Sequence, residues 1–383
     1  MNSELIPVTP SVVAWAIDES GFSIPKLATM LGLPEQVIKG WTLGKHPELT
    51  AFRKFAGAVG RPLAAFLLPE PPASLSPSVK FRHSRSTVGR ELIPEERRRI
   101  REAARLQEIL SWLARELDKS PPLVPRFSTK DDAEKVARAL RTQMGVSLAT
   151  QLSWSSATEA LGAWREAVET SGVTVLMASM GEESCRGFSI WDEYAPLICV
   201  NTAWLPEARV FTLFHEYAHL VTRTNSICVE DAALGSATSG DATERWCERV
   251  AAAVVIPTEG LERIVSESRG RSRGWKADLT TVTQVSTQLR VSRRAAALRL
   301  IEARYGEWSL FKSLPPHIDR RRDGGGGYGR TRATIRRQQL GNRTINMFAE
   351  ALERDVVGAA DVVDYLGASP DVLVGSAALA EDE

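Results

Sequence analysis

Apolar residues recur every three or four positions through residues 9–68, a spacing that predicts several short amphipathic helices. One of them, "SIPKLATMLG", starts at a serine N-cap, Ser23, and ends at Gly32. The next, "LPEQVIKGWTLG", follows after a very short turn. Two short helices joined by a tight turn that contains glycine form the helix-turn-helix pattern. We therefore predict a helical N-terminal domain over residues 1–72, closed by the proline-rich "PEPP".

A linker and a charged connecting helix are predicted over residues 73–124. The stretch "PEERRRIREAARLQEILSWLARELDK" carries apolar residues on one side, and "SPPLVPR" ends it. Its arginines alternate with glutamates, which is typical of a solvated helix face. Two more helical segments follow, "KDDAEKVARALRTQMG" and "SSATEALGAWREAVETSG". Ser156 and Glu159 in the second segment have the spacing of a capping box.

The pattern changes to short β-rich runs between residues 172 and 201. "VTVLMAS", "GFSIW" and "APLICVN" are separated by turn residues, which predicts a small sheet. Two helices come next, "FTLFHEYAHLVTR" and "DATERWCERVAAAVVIP", the second ended by Pro257. The predicted fold class is therefore α+β and mainly helical. A Gly/Arg-rich segment and a helical region are predicted over residues 311–383.

Composition and charge narrow the classes of function only slightly. The chain has 383 residues, 43% of them hydrophobic, with a formal net charge of +1, so two or three globular domains are expected. The four cysteines form no CxxC pair, which is typical of a reduced intracellular protein. The start, "MNSELIPVTP", lacks the basic-then-apolar pattern of a secretion signal, and no apolar run is long enough for a bilayer. We expect a cytoplasmic protein without a membrane partner.

Candidate chemistry is concentrated in "HEYAH". On a helix, positions i and i+4 share one face, so His215 and His219 can direct two imidazoles at one cation, as in the HExxH zinc arrangement. Glu216 can act as general base toward a water whose pKa Zn²⁺ lowers to about 7. The alternative is a pair of hydrogen-bonded core histidines on a buried helix. The metal is the preferred interpretation.

A third ligand must come from elsewhere, because a hydrolytic zinc site usually has three protein ligands and one open position. Glu244 opens the following helix, but Asp241 and Glu244 also have capping-box spacing. The other candidates are Glu230, Asp231, Asp241 and Glu248. Spacing alone leaves these nearly level.

"RVFTLFHEYAHL" followed by "ERWCERVAAAVVIP" resembles the ImmA/IrrE metallopeptidase family, in which the glutamate that leads the second helix is the third ligand. Glu244 occupies that position. Glu248 departs from the family's asparagine, and Tyr217-Ala218 replaces the commoner Leu-Gly, but neither change touches a ligand. The resemblance covers residues 125–260 and implies a zincin-like domain over 125–310.

The resemblance implies a zinc-dependent endopeptidase that cleaves or inactivates a specific regulatory protein, such as a repressor or a toxin–antitoxin partner. No oxyanion stabiliser is identified, since Tyr217 points off the ligand face. The rival hypothesis is a non-proteolytic DNA-binding regulator or antitoxin whose zinc site is structural or sensory.

The N-terminal domain resembles the XRE-type helix-turn-helix, a common partner domain in that family. Gln36 and Lys39 could then reach base edges, and Lys45 or Arg53 a phosphate. Residues 1–70 carry six basic and six acidic side chains, so phosphate attraction is weak. A protein-interaction or dimerisation module, with a possible homodimer, is the alternative.

The Gly/Arg-rich stretch "DRRRDGGGGYGRTRATIRRQQLG" lacks the Lys-Ser/Thr of a P-loop, so nucleotide binding is not predicted. A flexible linker with a local basic patch is the preferred interpretation. His46, His83 and His317 stand alone without ligand spacing and are predicted to be surface or structural residues.

Overall fold

The computed structural model describes residues 5–72, 92–224, 226–228, 242–269, 275–315, 318–319 and 331–373. These residues form two compact units. The first unit contains residues 5–72 and 92–102, and the second contains the described residues from 103 onward. The second unit is much larger than the first, and it contains the candidate metal-binding residues.

The first unit is a bundle of short helices around an aromatic core. Its helices are α1 (Pro10–Ser20), α2 (Ile24–Leu31), α3 (Glu35–Thr42) and α4 (Leu49–Ala58), followed by a 3-10 turn, Leu63–Leu67. The rings of Trp41, Phe52, Phe55 and Phe66 pack with centroids 4.9–5.8 Å apart. Such ring pairs stabilise a small core beyond their buried area. Both α2 and α3 lie where the apolar spacing predicts helices.

The turn between α2 and α3 follows from local chemistry. The Ser23 hydroxyl accepts a hydrogen bond from the Lys26 amide and caps α2. Gly32 ends the helix with a φ of +66°, a left-handed conformation that favours glycine. Pro34 then precedes α3. The three residues between the helices make the turn as short as the sequence predicts.

The second unit begins within the longest helix and is mainly helical. Helix α5 (Pro94–Glu116) belongs to the first unit up to residue 102 and to the second from residue 103. The later helices are α6 (Ala133–Gln143), α7 (Leu148–Ser153), α8 (Ala157–Thr170), α9 (Pro206–Val221), α10 (Ala242–Val255), α11 (Thr258–Arg269), α12 (Leu279–Leu289), α13 (Arg293–Glu302), α14 (Trp308–Lys312), α15 (Arg332–Leu340), α16 (Asn342–Glu353) and α17 (Ala359–Leu366). Across the described ranges, none of the helices has both the length and the apolar character needed to cross a membrane.

A four-stranded sheet supports the functional region. Its strands are β1 (Thr174–Ala178), β2 (Gly187–Ile190), β3 (Leu197–Asn201) and β4 (Ser226–Cys228), in the spatial order β1-β3-β2-β4. β1 runs parallel to β3, and the other two pairs are antiparallel. The first three strands were predicted. β4 was not, because three residues are too few for a period of two to show.

Helix α9 is the centre of the main core. It packs against β2 and β3 on one side and against α8 and α10 on others. Trp164 of α8 meets Phe214 of α9 edge-to-face, with centroids 4.8 Å apart. A helix covered from several directions is apolar around most of its surface, and α9 is buried over nearly its whole second half.

The predicted capping box on α8 is only half correct. The Ser156 hydroxyl accepts from the Glu159 amide, as expected. The Glu159 carboxylate, however, accepts from the amide and hydroxyl of Ser155, one residue before the cap. The hydroxyl of Ser155 gives the carboxylate a second donor, which explains why it reaches one residue further.

The C-terminal helices share a core with the second half of α5. Leu110 and Leu113 of α5 pack with Ile345 and Phe348 of α16 and with Leu366 of α17. Two segments that the sequence assigns to separate regions, 73–124 and 311–383, thus contribute to one cluster. The glycine-rich residues 320–330 and the proline-containing linker from residue 73 to 91 lie outside the described residues.

Candidate metal centre

The Nε2 atoms of His215 and His219 point towards the same position. The two histidines lie one turn apart on α9, and their Nε2 atoms are 3.2 Å from each other. Both side chains are nearly inaccessible, with exposures of 3% and 2%. Buried polar groups need partners, because desolvation without a hydrogen bond or a metal is costly. Two imidazoles aimed at one point from a buried face therefore call for a third group.

Glu244 supplies that third group from α10. It lies in the first turn of the helix, which packs along α9. Its Oε2 is 3.3 Å from His215 Nε2 and 3.4 Å from His219 Nε2. The sequence left Glu244 level with other acidic residues on spacing alone. The packing of α10 on α9 brings it to the two histidines.

The three ligand atoms have the spacing of a tetrahedral zinc site. Zinc binds imidazole nitrogen and carboxylate oxygen at about 2.0–2.1 Å, which sets neighbouring ligands of a tetrahedron about 3.3–3.4 Å apart. The observed separations of 3.2, 3.3 and 3.4 Å match this triangle. Among the described residues, these three form the group of histidine, cysteine and acidic side chains whose ligand atoms all lie within 4.8 Å of one another. The residues present therefore fit a zinc ion.

The three groups also interact electrostatically with one another. Burial disfavours the charged form of His215, but the carboxylates of Glu244, Glu216 and Glu248 together outweigh it and raise the pKa of His215 to about 9. Burial also opposes ionisation of Glu244, yet the two imidazoles hold the pKa of its carboxyl far below its usual range. A metal ion must displace the proton on His215, so metal affinity should rise with pH.

The outer nitrogen of His219 has a partner that fixes the ring. Its Nδ1 lies 3.2 Å from Thr224 Oγ1, and that hydroxyl also donates to the His219 carbonyl. In the tautomer in which Nδ1–H donates to Thr224 Oγ1, Nε2 keeps the lone pair that a metal needs. The Nδ1 atom of His215 is buried without a hydrogen-bond partner among the described residues.

Glu216 lies beside the ligands and is fully buried, with 0% exposure. Ser226 of β4 donates a hydrogen bond to its Oε2. Its Oε1 has no hydrogen-bond partner among the described residues. The sequence predicted Glu216 as a base but missed Ser226, whose contact depends on a strand too short to recognise.

A glycine allows β2 to approach this part of α9. A Cβ on Gly187 would lie 2.7 Å from Thr212 Cγ2, 2.9 Å from the Cys199 carbonyl oxygen and 3.5 Å from Glu216 Cγ. The first two distances are shorter than real Cβ contacts, so a side chain here would push strand and helix apart. The sheet thus reaches Glu216 because position 187 has no side chain.

Of the other candidate ligands, one lies near this centre without belonging to the three clustered residues, and three lie outside the described residues. Glu248 is half-buried one turn further along α10, and burial, against the pull of His215, raises the pKa of its carboxyl. It is not one of the three clustered residues. Glu230, Asp231 and Asp241 lie outside the described residues, and with Asp241 so does the capping-box alternative for Glu244.

Tyr217 is a core residue rather than part of the centre. Its ring is fully buried, and its hydroxyl lies 3.4 Å from Ser171 Oγ. This places it off the ligand face, as the helical geometry of "HEYAH" predicts.

The four residues of the first unit that were predicted to contact DNA differ from the residues of the metal centre in their burial. Gln36, Lys39, Lys45 and Arg53 are all exposed. Lys39 forms an ion pair with Glu35 at 3.3 Å, which offsets its charge. Two arginines of the charged stretch serve the fold instead, since Arg97 and Arg101 donate to the carbonyls of Asp18 and Glu19 at the end of α1.

A family comparison places this centre among known sequences. Residues 168–300 match the family model of Peptidase_M78, the IrrE N-terminal-like domain. The match spans β1 to β4 and α9 to α12, and it therefore contains all three clustered residues and Glu216. This supports the ImmA/IrrE resemblance for the part of the chain that holds the centre. The first unit lies outside the match, and no curated protein matches the chain.

Proposed function

We propose that the second unit is a zincin-like, zinc-dependent endopeptidase. The observation that carries this proposal is the triangle of His215, His219 and Glu244, whose spacing suits a tetrahedral zinc ion. The match to a peptidase family over the same residues supports it independently. Zinc, when bound, would polarise a peptide carbonyl and make water acidic enough to ionise near neutral pH.

Glu216 would do the proton transfer. It is not one of the clustered ligands. Its carboxylate is close enough to His215 to help raise the pKa of that imidazole, so it lies near the proposed metal position. In the proposed reaction Glu216 takes the proton of the attacking water and later gives it to the leaving amine. A buried carboxylate with one unpartnered oxygen is suited to both roles.

The rival hypothesis of a structural zinc site requires a fourth protein ligand. Structural zinc sites are closed by four protein ligands, whereas catalytic sites keep one position open. The described residues supply three ligands. Glu216, buried and unused by the metal, would also have no task in a purely structural site.

The substrate that we propose is a specific regulatory protein, such as a repressor or a toxin–antitoxin partner. This follows from the ImmA/IrrE resemblance, which the family match supports. We also propose that the first unit is an XRE-type helix-turn-helix domain that contributes partner or DNA recognition. Its neutral charge and exposed, ion-paired Lys39 favour recognition that does not depend on phosphate attraction.

The test compares the full chain with Glu216→Gln. Both zinc-loaded proteins are incubated with a native lysate of the source cells, and newly formed protein N-termini are labelled and identified by mass spectrometry. We expect equal zinc content, and new N-termini with the parent protein that are absent with Glu216→Gln. Cleavage that is equal in both would remove Glu216 from the mechanism. A Glu216→Gln protein that retains full effect in cells would favour the non-proteolytic regulator.

A further inference from the structure

Two buried serines lie behind Glu216, on neighbouring strands. Ser189 of β2 and Ser226 of β4 are directly paired in the register of the sheet. Their exposures are 0% and 7%. Ser226 donates to Glu216 Oε2, and the two serine Oγ atoms are 3.2 Å apart. The result is a continuous hydrogen-bonded chain from β2 through β4 to the carboxylate on α9.

The donor and acceptor in each of these hydrogen bonds follow from the number of protons that a hydroxyl can donate. A hydroxyl has one proton to donate and two lone pairs to accept with. Because Ser226 gives its proton to the carboxylate, Ser189 must donate to Ser226. Each donor strengthens the next, since hydrogen bonds in a chain polarise one another. Ser189 therefore makes Ser226 a better donor to Glu216.

The backbone keeps this chain in place. Residues i and i+2 of a strand face the same side, so Ser189 and Gly187 both face α9. A Cβ on Gly187 would lie only 2.7 Å from Thr212 Cγ2, so the missing side chain lets β2 approach the part of α9 that carries Glu216. The register that pairs Ser189 with Ser226 is set by the same antiparallel ladder.

We propose that Ser226, supported by Ser189, is a positioning residue for Glu216. Its hydrogen bond occupies Oε2, so that Oε1 is the oxygen that exchanges the proton with water and leaving amine. Oε2 accepts from Ser226 whether the carboxyl is ionised or carries its proton on Oε1, so the same orientation holds through both proton transfers. This inference rests on the proposed function, in which Glu216 is the base.

A purely structural role predicts something different. If the serines only satisfied a buried carboxylate, their removal would lower stability and leave the orientation of Glu216 unimportant. If they position it, their removal lets the carboxylate rotate and lose the geometry that proton transfer needs. Turnover should then fall while substrate binding and metal binding stay unchanged.

The experiment uses the zinc-loaded full chain, four serine variants and Glu216→Gln as a calibration. Ser226→Ala removes the donor, Ser226→Thr keeps a hydroxyl, Ser189→Ala removes the second member, and Ser286→Ala is the control. Ser286 is a partly buried residue of α12 whose hydroxyl donates to the Val291 carbonyl, remote in sequence from the centre. The measured quantities are zinc per chain, kcat and KM for fluorescently labelled, unfolded casein, and the Kd of acetohydroxamic acid. A hydroxamic acid loses a proton when it binds a metal, and a correctly placed carboxylate takes that proton.

We expect Ser226→Ala to keep its zinc and its KM but to lose about 10- to 100-fold in kcat, a loss of the size that follows removal of a hydrogen-bond partner behind a metal ligand. The Kd of acetohydroxamic acid should rise roughly tenfold for the same reason. Ser226→Thr should recover most of both, Ser189→Ala should show a smaller loss, and Ser286→Ala should match the parent protein. Glu216→Gln calibrates the hydroxamate measurement and should weaken it at least as much.

Two outcomes overturn the inference. In the first, Ser226→Ala keeps the parent kcat and the parent hydroxamate affinity and only unfolds at a lower temperature. In the second, Ser226→Thr is as impaired as Ser226→Ala. If the parent protein cleaves no casein, the hydroxamate decides alone. Weakened binding in Ser226→Ala then supports the positioning role, and unchanged binding refutes it, whatever the fate of the peptidase proposal.

Discussion

The centre on α9 and α10 and the exposed residues that were predicted to contact DNA in the first unit were both selected from residue type and spacing, yet they differ in kind. In the centre, His215, His219 and Glu244 are largely buried and converge on one point. In the first unit, Gln36 and Lys39 are exposed, and Lys39 is shared with Glu35. Buried polar groups that meet must have a reason, since each is costly to desolvate, whereas exposed ones need none. Convergence under burial is therefore the stronger indicator of function.

The largest effect should come from removing either histidine. His215→Ala and His219→Ala each leave two ligands where zinc needs three from the protein. We expect the purified variants to fall from about one zinc per chain to a trace, measured by atomic emission after dialysis against a weak chelator.

His46→Ala is the matched control, because His46 is exposed on the first unit and has no partner of ligand type beside it in the sequence. It should retain the full zinc content. If both α9 variants retained zinc, the buried cluster would be a hydrogen-bonded core group rather than a zinc site. The two regions would then no longer differ in kind.

A smaller effect is expected from Glu244→Gln. The amide is an uncharged and poorer ligand, so the Kd for zinc should rise by more than the roughly 10- to 100-fold that an outer partner contributes. The metal-free protein should also lose stability, because the amide cannot replace the carboxylate in the buried ion pair with His215. Competition with a zinc indicator measures the first quantity, and denaturant unfolding of the metal-free protein measures the second.

Glu159→Gln is the control for that change, because Glu159 also lies in the first turn of a helix but far along the chain from any ligand. It should keep the parent affinity. Glu248→Gln tests the neighbouring candidate. If Glu248→Gln releases zinc and Glu244→Gln does not, the third ligand is assigned to the wrong turn of α10.

The smallest effect is expected in the first unit. With six basic and six acidic side chains over residues 1–70, the full chain should bind an arbitrary DNA duplex no more tightly than about 10⁻⁴–10⁻⁶ M at physiological salt. Lys39→Ala should change the binding free energy by less than about 1 kcal/mol, because the charge is already paired. Fluorescence anisotropy at two salt concentrations measures both. Tight binding with a steep salt dependence would show that the exposed residues of the first unit do form a DNA-binding site.

Much of the architecture was accessible from the sequence because its signals are local. The apolar spacing predicted α2, α3, α6 and α8 at nearly their observed positions, and the β-rich runs predicted β1 to β3. The i, i+4 spacing of His215 and His219 likewise places both side chains on the same face of a helix. For Glu244, by contrast, the family resemblance was needed, because its approach to the histidines depends on how α10 packs on α9.

The parts that were missed depend on contacts between segments distant in the chain. Ser226 reaches Glu216 only because β4 pairs with β2, and no periodicity marks a three-residue strand. The shared core of α5 with α16 and α17 joins segments more than two hundred residues apart, which no local pattern reports. The Glu159 carboxylate accepts from Ser155 rather than from the N-cap amide that a capping box predicts, because Ser155 offers both an amide and a hydroxyl donor.

The most direct test of the central claim is X-ray absorption at the zinc edge of the metal-loaded full chain. The triangle of two imidazoles and one carboxylate predicts a first shell of nitrogen and oxygen only, at about 2.0–2.1 Å, with the outer-shell scattering of two imidazole rings. Cys247 is buried one turn after Glu244 on α10, so a sulfur ligand is the informative alternative. A zinc–sulfur distance of about 2.3 Å, or a shell without imidazole scattering, would contradict the assignment of the centre.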